Sequence, residues 1–467
     1  MDELSEKVLR VFGDAAVEKS LAVMDVISRL PRFIAEYIVS KYYRRGGDWV
    51  SAVTRVVQEF YPDPKDKEIV LSRLLREGSV KLIDEFRVSV DLSRGVYKLH
   101  VPNLQVDKAL VEPALVEKYE RLLSGLWGVG TLKYAPWVSS QPKLEGFLPV
   151  VLSDFEPFQV YNLDPKSFVD GRRQFTLEEW VNLLVRSMGL NPAAYSWRQK
   201  LLLLARLVPL CEGNVNILEL GPRATGKTYL YRNISYYTRI YAGGNVSAAV
   251  LFYNALLRKL GDIGLRDAVV FDEVANINFR DPDEIVPKLK DYMVDGHFER
   301  GSLPRAHSTC SLVFMGNIEL EKVAEPSLAL EHLPEFMKDS ALMDRVHGFI
   351  PGWDLPKVTR EHLARGYGLA ADYFSEVLHK LRDYSYRHIV DEHLELSGGY
   401  SIRDQEAVRR ILSGLIKLLF PHGEFDKSEL GEIAELAVEL RQRVVDLLSV
   451  LSPREYPRRR LEVRVRG

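Results

Sequence analysis

The sequence predicts an α/β protein: a parallel-sheet core with crossover helices, a helical lid behind it, and helical and β-rich modules ahead of it. Three observations carry this prediction. Strand-like apolar runs alternate with helical stretches from 201 to 356. A glycine-rich word, Gly221-Pro-Arg-Ala-Thr-Gly-Lys-Thr228, lies between one such strand and a helix. From 357 to 452 the pattern is almost wholly helical, with a break at Phe420-Pro421-His422-Gly423.

The elements follow in order. Residues 1–85 read as a helical module. Its apolar positions keep helical spacing over 16–42 and stop at Arg44-Arg45-Gly46-Gly47. A helix near 49–60 ends at Tyr61-Pro62-Asp63-Pro64, and another runs from about 66 to 76. At Phe86 the period changes to two. Residues 86–92 and 96–101 alternate around Ser93-Arg94-Gly95, which is a β-hairpin pattern, and further short runs extend a β-rich module over 86–165. A helical linker fills 166–200, where Thr176 and Glu179 have the spacing of a capping box and predict a helix to about Ser187. The core spans 201–356 and the lid 357–452. A basic tail, 453–467, holds six arginines against two glutamates.

Composition excludes several classes. With 46% hydrophobic and 27% charged residues among 467, the chain is neither disordered nor of low complexity. Its 63 Lys and Arg against 65 Asp and Glu leave a net charge of −2, so any cationic binding surface must be local. Cys211 and Cys310 have no close-spaced partners, which excludes a disulfide framework and a Cys-rich zinc site and points to a reducing compartment. Leu201 to Leu210 is too short to span a bilayer and is broken by Arg206. Asp2, Glu3 and Glu6 give the N-terminus the wrong charge for a signal peptide. The expectation is a cytoplasmic protein with no membrane partner.

The chemistry begins at the glycine-rich word. In Gly221, Pro222, Arg223, Ala224, Thr225, Gly226, Lys227 and Thr228, the glycines let backbone N–H groups curl around phosphate oxygens. Lys227 brings charge to the β- and γ-phosphates, and Thr228 brings a hydroxyl to Mg²⁺. ATP and Mg²⁺ are the expected cofactors. Downstream, the apolar run Ala268 to Phe271 closes on Asp272-Glu273. Carboxylates at the end of such a strand lie beside the phosphate loop, Asp272 for the metal shell and Glu273 to polarise the attacking water. A third strand, Ser311 to Met315, ends in Gly316-Asn317, whose amide suits orienting water or sensing the γ-phosphate.

After these motifs Asn317 fits the first sensor of AAA+ ATPases, and Asp344-Arg345 resembles their arginine finger. Arg403, opening a lid helix, resembles a second-sensor arginine, with Arg409 and Arg410 as alternatives. The order of phrases is similar to the Lon-like AAA+ ATPase family of BREX phage-defence systems, the BrxL family. The matching phrases are Phe175 to Trp180, Glu219 to Thr228, Val270 to Val274, Lys290 to Met293, Gly316 to Ile318, Asp344 to Gly348 with Ile350 to Trp353, and Ser413 to Leu418. The resemblance implies a homo-oligomeric ring, a hexamer or stacked rings, that binds double-stranded DNA and couples ATP hydrolysis to translocation or remodelling in antiviral defence, with other defence proteins as partners. It departs from the family at Ala224, where glycine is usual, and in having no Lon-type Ser–Lys nucleophile segment, so no peptidase is expected in this stretch.

The candidate DNA contacts are Arg300 and Arg305, in a polar insertion before the sensor strand, Lys41, Arg44 and Arg45, interleaved with tyrosines, and the tail arginines Arg458 to Arg460. A protein unfoldase is the alternative, with Leu251-Phe252-Tyr253 as its pore aromatics.

Overall fold

The computed structural model describes residues 1–23, 27, 29–43, 47–158, 163–256, 258–319 and 326–466. The chain forms two compact units, one of residues 20–163 and one of residues 1–19 with 164–467.

In the unit 20–163 the alternating segments close into a barrel. Its strands are β1 (Ser79–Asp91), β2 (Val96–Val101), β3 (Val106–Val111), β4 (Leu126–Tyr134) and β5 (Val150–Pro157). The order around the barrel is β1-β2-β3-β5-β4. Only β3 and β5 run parallel, and the short helix Pro113–Lys118 lies in the connection from β3 to β4. This is the connectivity of an OB-type barrel. Phe86 and Phe155 fill the interior because β4 carries glycines opposite them. A Cβ on Gly130 would meet the Phe86 ring at 2.2 Å, and one on Gly128 would meet the Phe155 ring at 2.6 Å.

The expected strand start at Phe86 is seven residues late, since β1 begins at Ser79. Its first half hides the period of two because both faces are covered. Leu82 faces the barrel interior, while Ile83 packs against Ile34, Ile38, Val53 and Val57 of the helices Arg32–Tyr43 and Trp49–Phe60. The helical and β-rich stretches thus share one unit. The spacing over 16–42 is not one helix. Ala16–Glu18 is a strand paired antiparallel with Tyr367–Leu369, a partner no local pattern announces, and the helix begins at Arg32.

The second unit is built on five parallel strands: β6 (Ile217–Gly221), β7 (Thr238–Val246), β8 (Ala268–Phe279), β11 (Ser311–Asn317) and β12 (Gly348–Pro351). A hairpin of β9 (His297–Arg300) and β10 (Leu303–His307) precedes β11. The sheet order is β12-β6-β11-β8-β7, so β6 is interior and all five of its residues are buried. Such strands read as continuous apolar runs because both faces are covered. The parallel register sets Asn317 beside Gly221 and Phe271 beside Phe314, whose rings stack 5.3 Å apart. The carboxyl ends of β6, β8 and β11 therefore share one sheet edge.

The predicted capping box at Thr176 is formed, and its helix spans Leu177–Ser187. Four helices, Ala371–Leu381, Arg387–His393, Ile402–Leu419 and Lys427–Leu451, make up most of the C-terminal segment. Buried ion pairs join them to the sheet region: Glu212 with Lys417 at 2.8 Å and Asp344 with Arg441 at 2.9 Å. The tail adds a strand, Glu462–Val465, antiparallel to Leu394–Ser397. Among the described residues no helix is long and apolar enough to cross a membrane.

Candidate functional site

The glycine-rich loop leaves the end of β6 and returns as the helix Lys227–Ile234. Gly221 is required by close packing, since a Cβ there would lie 2.5 Å from the backbone of Gly352. Gly226 takes a left-handed conformation at φ 80°, as a tight turn into a helix demands. Ala224 is also left-handed, at φ 65°, the place where the sequence departs from the family's glycine.

Lys227 is buried and reaches back over the loop, donating to the carbonyls of Gly221 at 2.9 Å and Pro222 at 2.8 Å. Burial pushes its pKa down and the neighbouring Arg206 adds to this, while the carboxylates of Glu219 and Asp272 oppose the shift. The Thr228 hydroxyl donates to Asp272 Oδ2 at 2.5 Å, and Asp272 Oδ1 accepts the Glu273 N–H at 2.9 Å. These two side chains offer oxygen donors of the kind a hard divalent cation takes, so they fit Mg²⁺. Glu273 is exposed and left-handed at φ 49°, at the point where the β8–β7 register shifts. Non-glycine residues in that region cost of order 1–3 kcal/mol and gather at functional sites.

The loop, Glu273 and Asn317 line one cleft of about 430 Å³. The structure therefore gathers the loop, Lys227, Thr228, Asp272, Glu273 and Asn317 at the carboxyl edge of the sheet. Beside them lies an apolar cavity of about 260 Å³, lined by Met188, Leu190, Tyr229, Leu230, Val358 and Leu363 with Ala224 and Gly226 of the same loop.

Sequence reasoning missed Arg206 and Glu219. Both are fully buried, paired through Nη2–Oε1 at 2.5 Å and Nε–Oε2 at 3.0 Å. Arg206 Nη1 also donates to the Thr225 carbonyl at 2.9 Å. The available signal was two opposite charges in apolar runs thirteen positions apart.

The remaining candidates lie elsewhere. Arg345 is outside the residues lining the cleft and donates to the Ala341 carbonyl. Burial, and then the neighbouring Arg403, weigh against its charge. Arg403 is also outside the cleft lining and pairs with Asp344. Arg409 pairs with Asp391 and Arg410 with Glu406. Arg300 is tied to Glu284 at 2.9 Å and to the Tyr253 carbonyl at 2.7 Å, joining the β9–β10 hairpin to the small hairpin of Tyr253–Asn254 with Lys259–Leu260. Arg305 is 64% exposed and pairs with Asp295. Lys41 pairs with Glu156 at 2.7 Å, and Arg44 and Arg45 lie outside the described residues. In the tail, Arg459 pairs with Asp404. Leu251, Phe252 and Tyr253 are buried, so they are not free pore aromatics.

A family model described as "Lon-like protease BrxL-like, ATPase domain" matches residues 150–462. The chain belongs to the BrxL-like ATPase family. A second family model, "BREX system Lon protease-like protein BrxL N-terminal", matches residues 10–134. The chain is 35% identical over 437 residues to a Lon-like protease BrxL of Escherichia coli O9:H4 (strain HS), covering 92% of this chain and 62% of that protein. To a Lon-like protease BrxL of Bacillus cereus (strain H3081.97) it is 34% identical over 466 residues, covering 98% of this chain and 68% of the relative. The chain thus spans about two thirds of the length of these BrxL relatives.

Proposed function

We propose that this BrxL-family chain is a Mg²⁺-dependent ATP hydrolase of the AAA+ type, with a P-loop core and helical lid, working as a homo-oligomeric ring on double-stranded DNA in BREX-type defence. The observation that carries the reading is the convergence of the phosphate loop, Lys227, Thr228, Glu273 and Asn317 on one cleft at the carboxyl edge of a parallel sheet. Loop N–H groups and Lys227 bind the phosphates, and the apolar cavity beside the loop takes the base. Thr228 and Asp272 hold Mg²⁺, which supplies charge neutralisation to the phosphates when bound. Glu273 accepts a hydrogen bond and then the proton from the attacking water, and Asn317 orients that water. Peptide hydrolysis is no part of this proposal.

The ring is supported by Arg345, which lies outside the cleft of its own chain, as a finger serving a neighbour's cleft requires, and Arg403 beside it keeps the second-sensor reading. DNA binding is supported by the exposed Arg305 on its hairpin and by the OB-type barrel, an architecture that binds oligonucleotides. Its hairpin Arg94 lies over Phe147, bringing the β1–β2 and β4–β5 loops together. Leu256, 96% exposed between the strands Tyr253–Asn254 and Lys259–Leu260, favours the second reading, a protein unfoldase. Cytoplasmic location and recruitment of other defence proteins belong to the first reading.

The test is the ATPase rate alone, with duplex DNA and with an unfolded polypeptide, each at two salt concentrations. Stimulation by DNA that falls steeply with salt is expected. Stimulation by polypeptide alone selects the unfoldase, and no turnover under any condition overturns both.

A further inference from the structure

We propose that the buried Arg206–Glu219 pair is a positioning device for the phosphate loop, which holds the Thr225 carbonyl inward, away from the cleft, and so aims the Gly226 N–H at the bound phosphate. The inference rests on the nucleotide reading above. A fully buried ion pair is poor as a stabiliser, because well-packed apolar residues commonly do as well or better in its place. This pair makes a third contact that apolar residues would lack, from Arg206 Nη1 to the Thr225 carbonyl at 2.9 Å.

The peptide between Thr225 and Gly226 is trans and planar, so its N–H points opposite to its C=O. Holding the carbonyl on Arg206 directs the Gly226 N–H the other way. The preceding peptide is held similarly, with the Ala224 carbonyl accepting the Val358 N–H at 2.7 Å, which directs the Thr225 N–H away from Val358. Among the described residues neither N–H has an acceptor. Two successive N–H groups held this way form an anion-binding nest at a helix N-terminus. Glu219 fixes the plane of the guanidinium through two parallel bonds. The Arg206 carbonyl accepts the Tyr231 hydroxyl at 2.8 Å, so the same residue also grips the helix that follows the loop.

The experiment uses the full chain. Arg206→Met combined with Glu219→Leu removes both charges together and leaves no uncompensated ion. Arg206→Lys keeps a charge for Glu219 but presents one nitrogen in place of three. Both variants are expected to unfold cooperatively near the parental temperature. Both are expected to raise the KM for ATP about tenfold or more, the scale of a lost hydrogen bond to a charged group, with kcat changed less than about threefold. Titration of a fluorescent ATP analogue should show the same loss of affinity. Parental KM and affinity in either folded variant overturn the inference and leave the nucleotide reading standing. If the parent itself binds no ATP, both fall.

Discussion

Lys227 donates to two carbonyls of its own loop, Gly221 and Pro222, which hold its ammonium over the loop and leave a third N–H for a ligand. Lys227→Ala should abolish ATP binding, whereas Glu273→Gln should keep binding and stop turnover. A binding titration beside a phosphate-release assay checks the pair, and normal release from either variant would remove the assignment. Ala224 carries a left-handed backbone that glycine adopts without strain. Ala224→Gly should therefore raise stability by on the order of 1 kcal/mol, read as a shift in denaturant midpoint at unchanged slope. This loop was legible from sequence because its chemistry is local: eight consecutive residues between a strand and a helix. Arg206 was not, since its meaning lies in Glu219 on another element. Alone it reads only as a charge interrupting an apolar run.

At the scale of elements, β1 carries a buried carboxyl, Asp84, whose pKa is pushed up to about 7 by burial, against hydrogen bonds from the backbone of Glu85, Asn103 and Leu104. The folded barrel thus prefers the protonated acid. The stability this contributes is full below the ordinary carboxyl range near 3.8 and is lost as pH rises through about 7. The parental unfolding midpoint should fall between about pH 4 and pH 7, and Asp84→Asn should flatten that fall. Equal pH slopes in the two proteins would refute it. The β9–β10 hairpin separates two arginines that the sequence presents alike. Arg300 braces the neighbouring hairpin through Tyr253, while Arg305 is exposed. Arg305→Glu should weaken duplex binding and lower its salt slope by about one without lowering ATP affinity, as anisotropy titrations would show. Arg300→Glu should damage the hairpin as well. The hairpin of β1 and β2 was legible through its alternation. The closure of the barrel was not, because the β1–β4 and β3–β5 pairings join segments distant in sequence.

For the whole molecule, the position of Arg345 predicts hydrolysis shared between subunits. Mixing Lys227→Ala chains with Arg345→Ala chains should restore some ATPase activity, because mixed interfaces contain one intact site. Arg345→Ala alone should lose on the order of 10³-fold in rate. An active species that sediments as a monomer would end the shared-site reading. The division of the chain into 20–163 and the rest has its own consequence. Residues 1–19 leave the ribosome well before their partners. Asp2 pairs with Arg186, and Ala16–Glu18 pairs with Tyr367–Leu369. At about 5–20 residues per second, the first strand waits on the order of tens of seconds for its neighbour to be synthesised. Until Phe175 and Trp180 are made, Phe12, which packs on both rings and is buried in the finished protein, lacks the surface of its own unit that covers it. The barrel unit, complete by residue 163, can fold meanwhile. Translation therefore completes the 20–163 unit well before the strand Ala16–Glu18 can find its neighbour.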